Sequence, residues 1–254
     1  NAILNLFHID ETDKNIIKIC QRIDHQYLGI KSGILDHSAS QLSKKNNILK
    51  IDFKKEIFSY IKTNTSRFNW ILVDSRVKRE LTHTKYNDRV NECIEGLSIL
   101  SDLLVEKINF RNISNEKLVV MRSLKPILYN RLKHIVDENE RVHNMEKAIL
   151  RNNLNEIGKL LLESHNSLSD LYDVSCEEVD YLVSISSKLK YWYGGRIMGG
   201  GFGGNTINLI EVGKEREYSD FIKAEYKRKF GINTNTYNVE FSNGVEIIDN
   251  ISAD

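Results

Sequence analysis

Apolar residues recur at helical spacing near the start of the chain. Ile16, Ile19, Cys20, Ile23 and Tyr27 fall at three- and four-residue steps, which predicts an amphipathic helix over residues 11–27. Thr12 or Asp13 is placed to cap its first turn. The stretch LGIKSGILDHSAS (28–40) loses that period and is punctuated by Gly29 and Gly33. Two runs rich in β-branched and aromatic residues follow, ILKIDF (48–53) and NWILVDSRV (69–77), and both predict strands. From Asn87 the period is helical again. Val90, Ile94, Leu97, Leu100 and Leu104 form one stripe, and others lie in 115–136, 140–150 and 154–163. Pro126 is expected to kink or interrupt the helix over 115–136. Ser175, with Glu178 three residues on, predicts a capping box at the head of a helix over 177–190. Strands are then predicted for GRIM (195–198) and NTINLIEV (205–212), a helix for 219–230, and a last strand for NTYNVEFS (235–242). A mixed front, a helical middle and a strand–helix–strand end make an α+β protein.

Composition narrows the function classes. The chain has 254 residues, enough for one large domain or two lobes. Its 36 basic and 35 acidic residues leave a formal charge of +1, which argues against a broad nucleic-acid footprint. No apolar run approaches the roughly 18 residues of a membrane-spanning helix. Cys20, Cys93 and Cys176 are far apart and odd in number, so neither a disulfide framework nor a zinc site is expected, and a reduced, cytoplasmic setting is. The start has no signal-peptide pattern and no initiator Met, from which the chain is expected to begin inside a longer protein.

Three segments carry candidate chemistry. Seven of the 14 glycines fall in GGRIMGGGFGGN, between Gly194 and Gly204. Such density lets a backbone take positive φ and approach a ligand or another strand closely. A dinucleotide fingerprint needs a strand before it and a helix after it, whereas here a strand follows. A glycine-rich hairpin serving packing alone stays open as the other reading. CQRIDHQYLGIKSGILDH (20–37) places Asp24 late on the first helix and Asp36 in the stretch beyond. Two nearby carboxylates can divide labour between a metal and a hydroxyl proton. From spacing alone, a solvated Asp24 and a capping Asp36 are the more ordinary reading. DSRVKRELTHTKYNDRVNEC (74–93) leads from a strand into a helix, with Lys78 and Arg79 beside a polar turn and Tyr86 just before the helical run. His134 and Glu138, four apart, are expected to pair on a helix surface.

In order along the chain, these segments resemble the galactokinases of the GHMP sugar kinase family. Residues 20–37 are similar to that family's Cys-Gln-x-Ala-Glu-Asn…Cys-Gly-Ile-Met-Asp-Gln stretch, and 74–93 to its strand and Ser-x-Tyr-Asn-x-Arg-Arg helix start. RLKHIVDENERV (131–142), LLESHNSLSDLYDVSCEEVD (161–180) and GGRIMGGGFGGN (194–205) resemble three further family segments, the last being the third GHMP motif. The resemblance implies a two-lobed GHMP fold with a ferredoxin-like carboxy-terminal lobe. Residues 1–86 would be the rear of the amino-terminal lobe and 87–254 the carboxy-terminal lobe, with the active site between them.

The resemblance also implies roles. Asp36 aligns with the family's catalytic proton acceptor, and Gly33 and Tyr86 with sugar contacts. Asp24 aligns with a magnesium-associated glutamate, one methylene longer. Gly199, Gly200 and Gly201 belong to the cofactor-binding motif, where the loop would pack under the phosphate-binding loop. The implied reaction transfers the ATP γ-phosphate, with Mg2+, to the anomeric hydroxyl of galactose. N-acetylgalactosamine or L-arabinose as acceptor, or a non-catalytic sugar or nucleotide sensor, are the alternatives. Phosphoryl transfer of this kind is mostly positioning and charge neutralisation. The family's sugar-binding and ATP-cradling segments of the amino-terminal part have no counterpart in this sequence, so residues 1–254 alone are expected to be inactive and to need that part as a partner. The chain also departs from the family pattern at His25, Ser32, His37, Arg79, Val90, Leu171 and Met198.

Overall fold

The computed structural model describes residues 2–64, 66–77 and 82–246. They fall into two compact units, one made of residues 1–64 with the stretch from 241 onward, the other of 65–240. Lys78 and Arg79 lie outside the described residues.

In the first unit, α1 (Ala2–Leu6) precedes α2 (Asp13–Gln26), which buries Ile17. The Thr12 hydroxyl accepts the Asn15 N–H at 3.3 Å, so Thr12 rather than Asp13 is the cap. After the 28–34 stretch comes α3 (Leu35–Leu42), then an antiparallel hairpin of β1 (Asn47–Asp52) and β2 (Ile57–Lys62). Neither α3 nor β2 stands out in the sequence. Helix α3 buries only Ser38 and opens from Ile34 without a side-chain cap, while Ile61 is the one buried residue of β2. Residues 243–245 return to the end of α3, where the Gly244 and Val245 N–H groups donate to Ser43 and Ser40, both at 2.8 Å. A Cβ on Gly244 would lie 2.7 Å from the Ser40 carbonyl oxygen, so that approach requires glycine.

The second unit contains β3 (Phe68–Asp74), α4 (Thr82–Leu104), α5 (Asn115–Leu118), α6 (Pro126–Leu150), α7 (Leu154–Asp170) and α8 (Glu177–Ser186). The hairpin of β4 (Trp192–Ile197) and β5 (Asn205–Glu211), α9 (Glu215–Phe230) and β6 (Asn235–Val239) complete it. Its sheet is antiparallel in the order β4-β5-β3-β6, with Val73 opposite both Thr206 and Thr236. This is the ferredoxin-like arrangement expected for the carboxy-terminal lobe, with the helices α4–α8 filling the first connection. Ile71, Val73 and Ile210 on one sheet face meet Leu182, Ile185, Tyr218 and Ile222 from α8 and α9. A separate core joins α4, α5 and α6 through Leu100, Leu118, Met121 and Leu132. The 86/87 boundary expected between lobes falls inside α4, and β3 lies within the sheet of the second unit.

One expectation holds and another is corrected. The helical run over 115–136 is interrupted at Pro126, as expected: α5 ends at Leu118 and Pro126 begins α6, which runs unbroken to Leu150. At the first position the missing N–H is one that no helical carbonyl would accept, so proline costs nothing there. The Ser175–Glu178 capping box does not form: Cys176 is the cap residue, without a side-chain bond, and the Ser175 hydroxyl donates to Asp180 instead. A carboxylate is the stronger acceptor, and Asp180 sits one turn into α8 within reach.

Candidate functional site

The first unit carries Asp24, Gly33 and Asp36. Helix α2 presents Gln21, Asp24 and His25 toward the stretch that follows it. Gln21 and His25 both donate to the Ser32 carbonyl, at 3.1 and 2.8 Å, while the Ser32 hydroxyl donates to Asp24 Oδ2 at 2.6 Å. The Ile30 N–H closes back onto the Asp24 carbonyl at 3.0 Å. His37 Nε2 then donates to the same Asp24 oxygen at 3.0 Å. Asp24 is therefore half-buried and bonded rather than solvated. The Ser32 hydroxyl holds its carboxyl below the usual carboxylate range, and His37 adds to this against the opposing effect of burial.

Asp36 sits in the first turn of α3, where an acidic side chain favours the helix, and is not its cap. Its neighbour His37 is the residue that reaches Asp24, so the two carboxylates occupy one end of the α2–α3 pair. Asp36 is exposed and accepts no hydrogen bond from a described residue. Gly33 is exposed too, and a Cβ there would meet nothing within 4 Å. Among the described residues no group of three or more His, Cys, Asp or Glu side chains is arranged to hold a metal. Asp24 offers a single carboxylate, the number that a nucleotide-borne magnesium ion commonly takes from a protein.

The second unit carries Tyr86 and the glycine run. The run is the loop of the β4–β5 hairpin, as the packing reading has it, and its backbone is unusual: Gly199, Gly201 and Gly203 have φ of 81°, 86° and 118°. It is also seated. The Phe202 N–H donates to the Val174 carbonyl at 2.6 Å, and a Cβ on Gly201 would lie 2.3 Å from that oxygen. A Cβ on Gly200 would lie 3.4 Å from Tyr86 Cδ2, which places the tyrosine ring directly against the loop. Lys85 Nζ stands 5.5 Å over the Phe202 ring from the same end of α4.

Behind this loop lies a buried polar network that the sequence reading did not foresee. Arg131 on α6 is 7% exposed, and its guanidinium donates to Glu92 on α4 (2.7 Å), the Leu171 carbonyl (2.7 Å) and Asp173 (3.2 Å). Arg89 pairs with the same two carboxylates. Arg196 on β4 donates to Ser164 at 2.8 Å, and Ser164 in turn to Glu138 at 2.9 Å. His165 reaches Asp180 at 3.3 Å, joining α7 to α8. His134 is buried, donating to or accepting from Ser167 at 2.9 Å and stacking on Tyr172 with 4.5 Å between ring centroids. The expected surface pair of His134 and Glu138 is thus interior. Burial alone pushes Glu138 up, yet Arg196 and Arg141 outweigh it and hold that carboxyl below its usual range.

Burial depresses His134 to about 4, with Arg141 and Arg196 lowering it and Glu138 and Asp137 opposing. A histidine unfolded near 6.5 and folded near 4 binds its proton first in the unfolded state. Stability should therefore be constant above pH 6.5 and fall as pH drops from there toward 4. Between pH 7 and 5 the loss is about 2 kcal/mol. Urea melts at both pH values check this, and His134→Gln should remove that part of the slope.

Comparison with known proteins shows the family. Residues 145–232 match the family of GHMP kinases, C terminal. A galactokinase from Thermosipho africanus is 34% identical over 244 residues, covering 96% of this chain and 67% of the relative. A galactokinase from Thermotoga petrophila is 34% identical over 247 residues, 97% of this chain and 68% of its own length. A crystal structure of Lactococcus lactis galactokinase complexed with galactose superposes with a TM-score of 0.89 at 26% identity, covering 96% of this chain and 63% of that one. The chain spans about two thirds of the length of the relatives it matches.

Proposed function

We propose, for a chain that belongs to the galactokinase family, that the full protein transfers the γ-phosphate of ATP to the anomeric hydroxyl of galactose. The observation that carries this reading is Asp36: an exposed carboxylate that accepts no hydrogen bond from a described residue, fixed on a helix turn beside a second, hydrogen-bonded carboxylate. In the reaction Asp36 accepts the proton of the sugar hydroxyl as its oxygen attacks phosphorus, and the leaving ADP takes the released charge. Gly33 leaves room beside it, since its lack of a side chain keeps the backbone open to a ligand. Tyr86 contacts the sugar through its ring or hydroxyl, and Gly199, Gly200 and Gly201 support the nucleotide side.

Magnesium, when bound with ATP, neutralises charge on the transferring phosphate. Asp24 would meet it through its one carboxylate. Ser32 and His37 orient that carboxylate and favour its charged form. His37 donates here through Nε2, and the tautomer that does so leaves Nδ1 as an acceptor.

The test is sugar-dependent ADP release by the full-length protein across galactose, N-acetylgalactosamine, L-arabinose and glucose. Galactose is expected to give the highest kcat/KM. Equal rates with galactose and its epimers would remove galactose as the substrate. Galactose binding without ADP release would make the protein a sensor on a kinase fold.

A further inference from the structure

We propose that Arg131 is a positioning residue that sets galactose affinity by holding Tyr86 in register with the glycine-rich loop. The proposal deepens the functional reading above and rests on it.

The geometry forms a closed ring within the second unit. Tyr86, Arg89 and Glu92 lie at three-residue steps along one side of α4. Glu92 accepts from Arg131 Nε at 2.7 Å. The other arms of the same guanidinium reach across to the Leu171 carbonyl at 2.7 Å and the Asp173 carboxylate at 3.2 Å. Those two residues frame the turn that leaves α7, in which Asp173 has a φ of 56°. The next residue, Val174, is the seat of the loop: its carbonyl accepts the Phe202 N–H at 2.6 Å and faces Gly201. Gly200, beside it, packs against the Tyr86 ring and closes the ring of contacts.

Besides backbone and rigid helices, the ring is closed by the Tyr86 ring against Gly200 and by the Arg131 fork, with Arg89 pairing with the same Glu92 and Asp173 carboxylates. A guanidinium is suited to this because its donors diverge in one plane at fixed angles, so three acceptors on two elements hold one orientation. A lysine ammonium at the same place would supply charge without that geometry. The bonds of Arg131 run to Glu92, Leu171 and Asp173, so its effect runs through the two elements it joins. A displacement of Tyr86 by even a fraction of an ångström relative to the loop weakens sugar contacts that depend on orientation.

The test uses the full-length protein and measures galactose KM, ATP KM and kcat at matched folded fraction. Asp173→Gly removes the carboxylate while suiting the positive φ, and this side chain is 65% exposed, so folding should survive. It is expected to raise galactose KM about tenfold with kcat changed no more than about twofold. Asp173→Asn keeps an acceptor oxygen and should recover most of the affinity. Arg131→Lys should shift galactose KM in the same direction and by more. In combination with Tyr86→Phe, Asp173→Gly should add much less than its separate effect, because both act on one contact. Unchanged galactose KM in Asp173→Gly beside an active wild type overturns the inference and leaves the kinase reading intact. Full additivity with Tyr86→Phe overturns it as well. A wild type that phosphorylates no sugar removes the functional reading, and the inference with it.

Discussion

Asp36→Asn is expected to lower galactose-dependent turnover of the full-length protein by about 10²–10⁴-fold, with galactose KM nearly unchanged. The amide keeps the size and hydrogen-bonding reach of the carboxylate but cannot take the proton of the attacking hydroxyl. Much of the remaining acceleration in phosphoryl transfer comes from positioning and from charge neutralisation, so the variant should stay above the uncatalysed rate. Stability should hold within about 0.5 kcal/mol, because the side chain is exposed and accepts no bond from a described residue. Coupled ADP release and a thermal melt of the same preparation check both halves. A loss below tenfold would move the proton acceptor elsewhere.

Gly158→Ala should destabilise the protein by about 3 kcal/mol or more, although local propensity points the other way. Inside a helix alanine is favoured over glycine by about 1 kcal/mol. Here, however, a Cβ would lie 1.9 Å from the Tyr193 carbonyl oxygen and 2.3 Å from its carbon. Gly194 shows the reciprocal approach, with its own Cβ position 2.0 Å from the Gly158 carbonyl. Helix α7 and strand β4 thus meet backbone to backbone, and no rotamer change relieves the clash. The two elements would have to separate, loosening Ser164 from Arg196 as they did. Gly213→Ala provides the control, since that glycine has a φ of 84° but open space around it. It should cost only the left-handed strain, about 1–2 kcal/mol. Urea denaturation of the two variants distinguishes clash from strain.

The α+β class, the strands at 48–53 and 69–77, and the closing strand–helix–strand segment were legible from β-branched and aromatic runs and, in β3, β5 and α9, from a buried face. Val73 and Ile71 alternate with half-buried neighbours, and the first helix has its cap at Thr12. Helix α3 was not legible. LDHSASQL has no apolar stripe; it is held by His37 on Asp24, by Gln41 on Asp13 and by the return of Gly244 and Val245. The pairing of β3 with β5 and β6 was likewise invisible to local periodicity, so a boundary drawn on order alone keeps β1 in the first unit but parts β3 from the sheet it joins. Within the candidate site, Asp24 and Asp36 could be named from the motif that contains them. That Ser32 and His37 would tie one carboxylate and leave the other without a bond from a described residue required the fold. The segments at 131–142 and 161–180 contributed to the resemblance, yet Arg131, His134, Ser164 and His165 are interior. Polar residues on a buried helix face carry no signal in a hydrophobic pattern, because their partners come from other elements.

The position of β3 between β5 and β6 also bears on how the chain is made. Asp74 pairs with Asn205 on one side and Asn235 on the other, so both neighbours emerge from the ribosome some 130 residues or more after it. At ordinary synthesis speeds that is a wait on the order of ten seconds, during which Trp70, Ile71, Leu72 and Val73 have no ladder to join. Helices α4 to α6 can gather around Leu100, Leu118 and Leu132 in the meantime, since those contacts are close in sequence. The central strand of the sheet is therefore the last to be paired on both edges. A nascent chain stalled before residue 205 presents it to chaperones as an open β-edge.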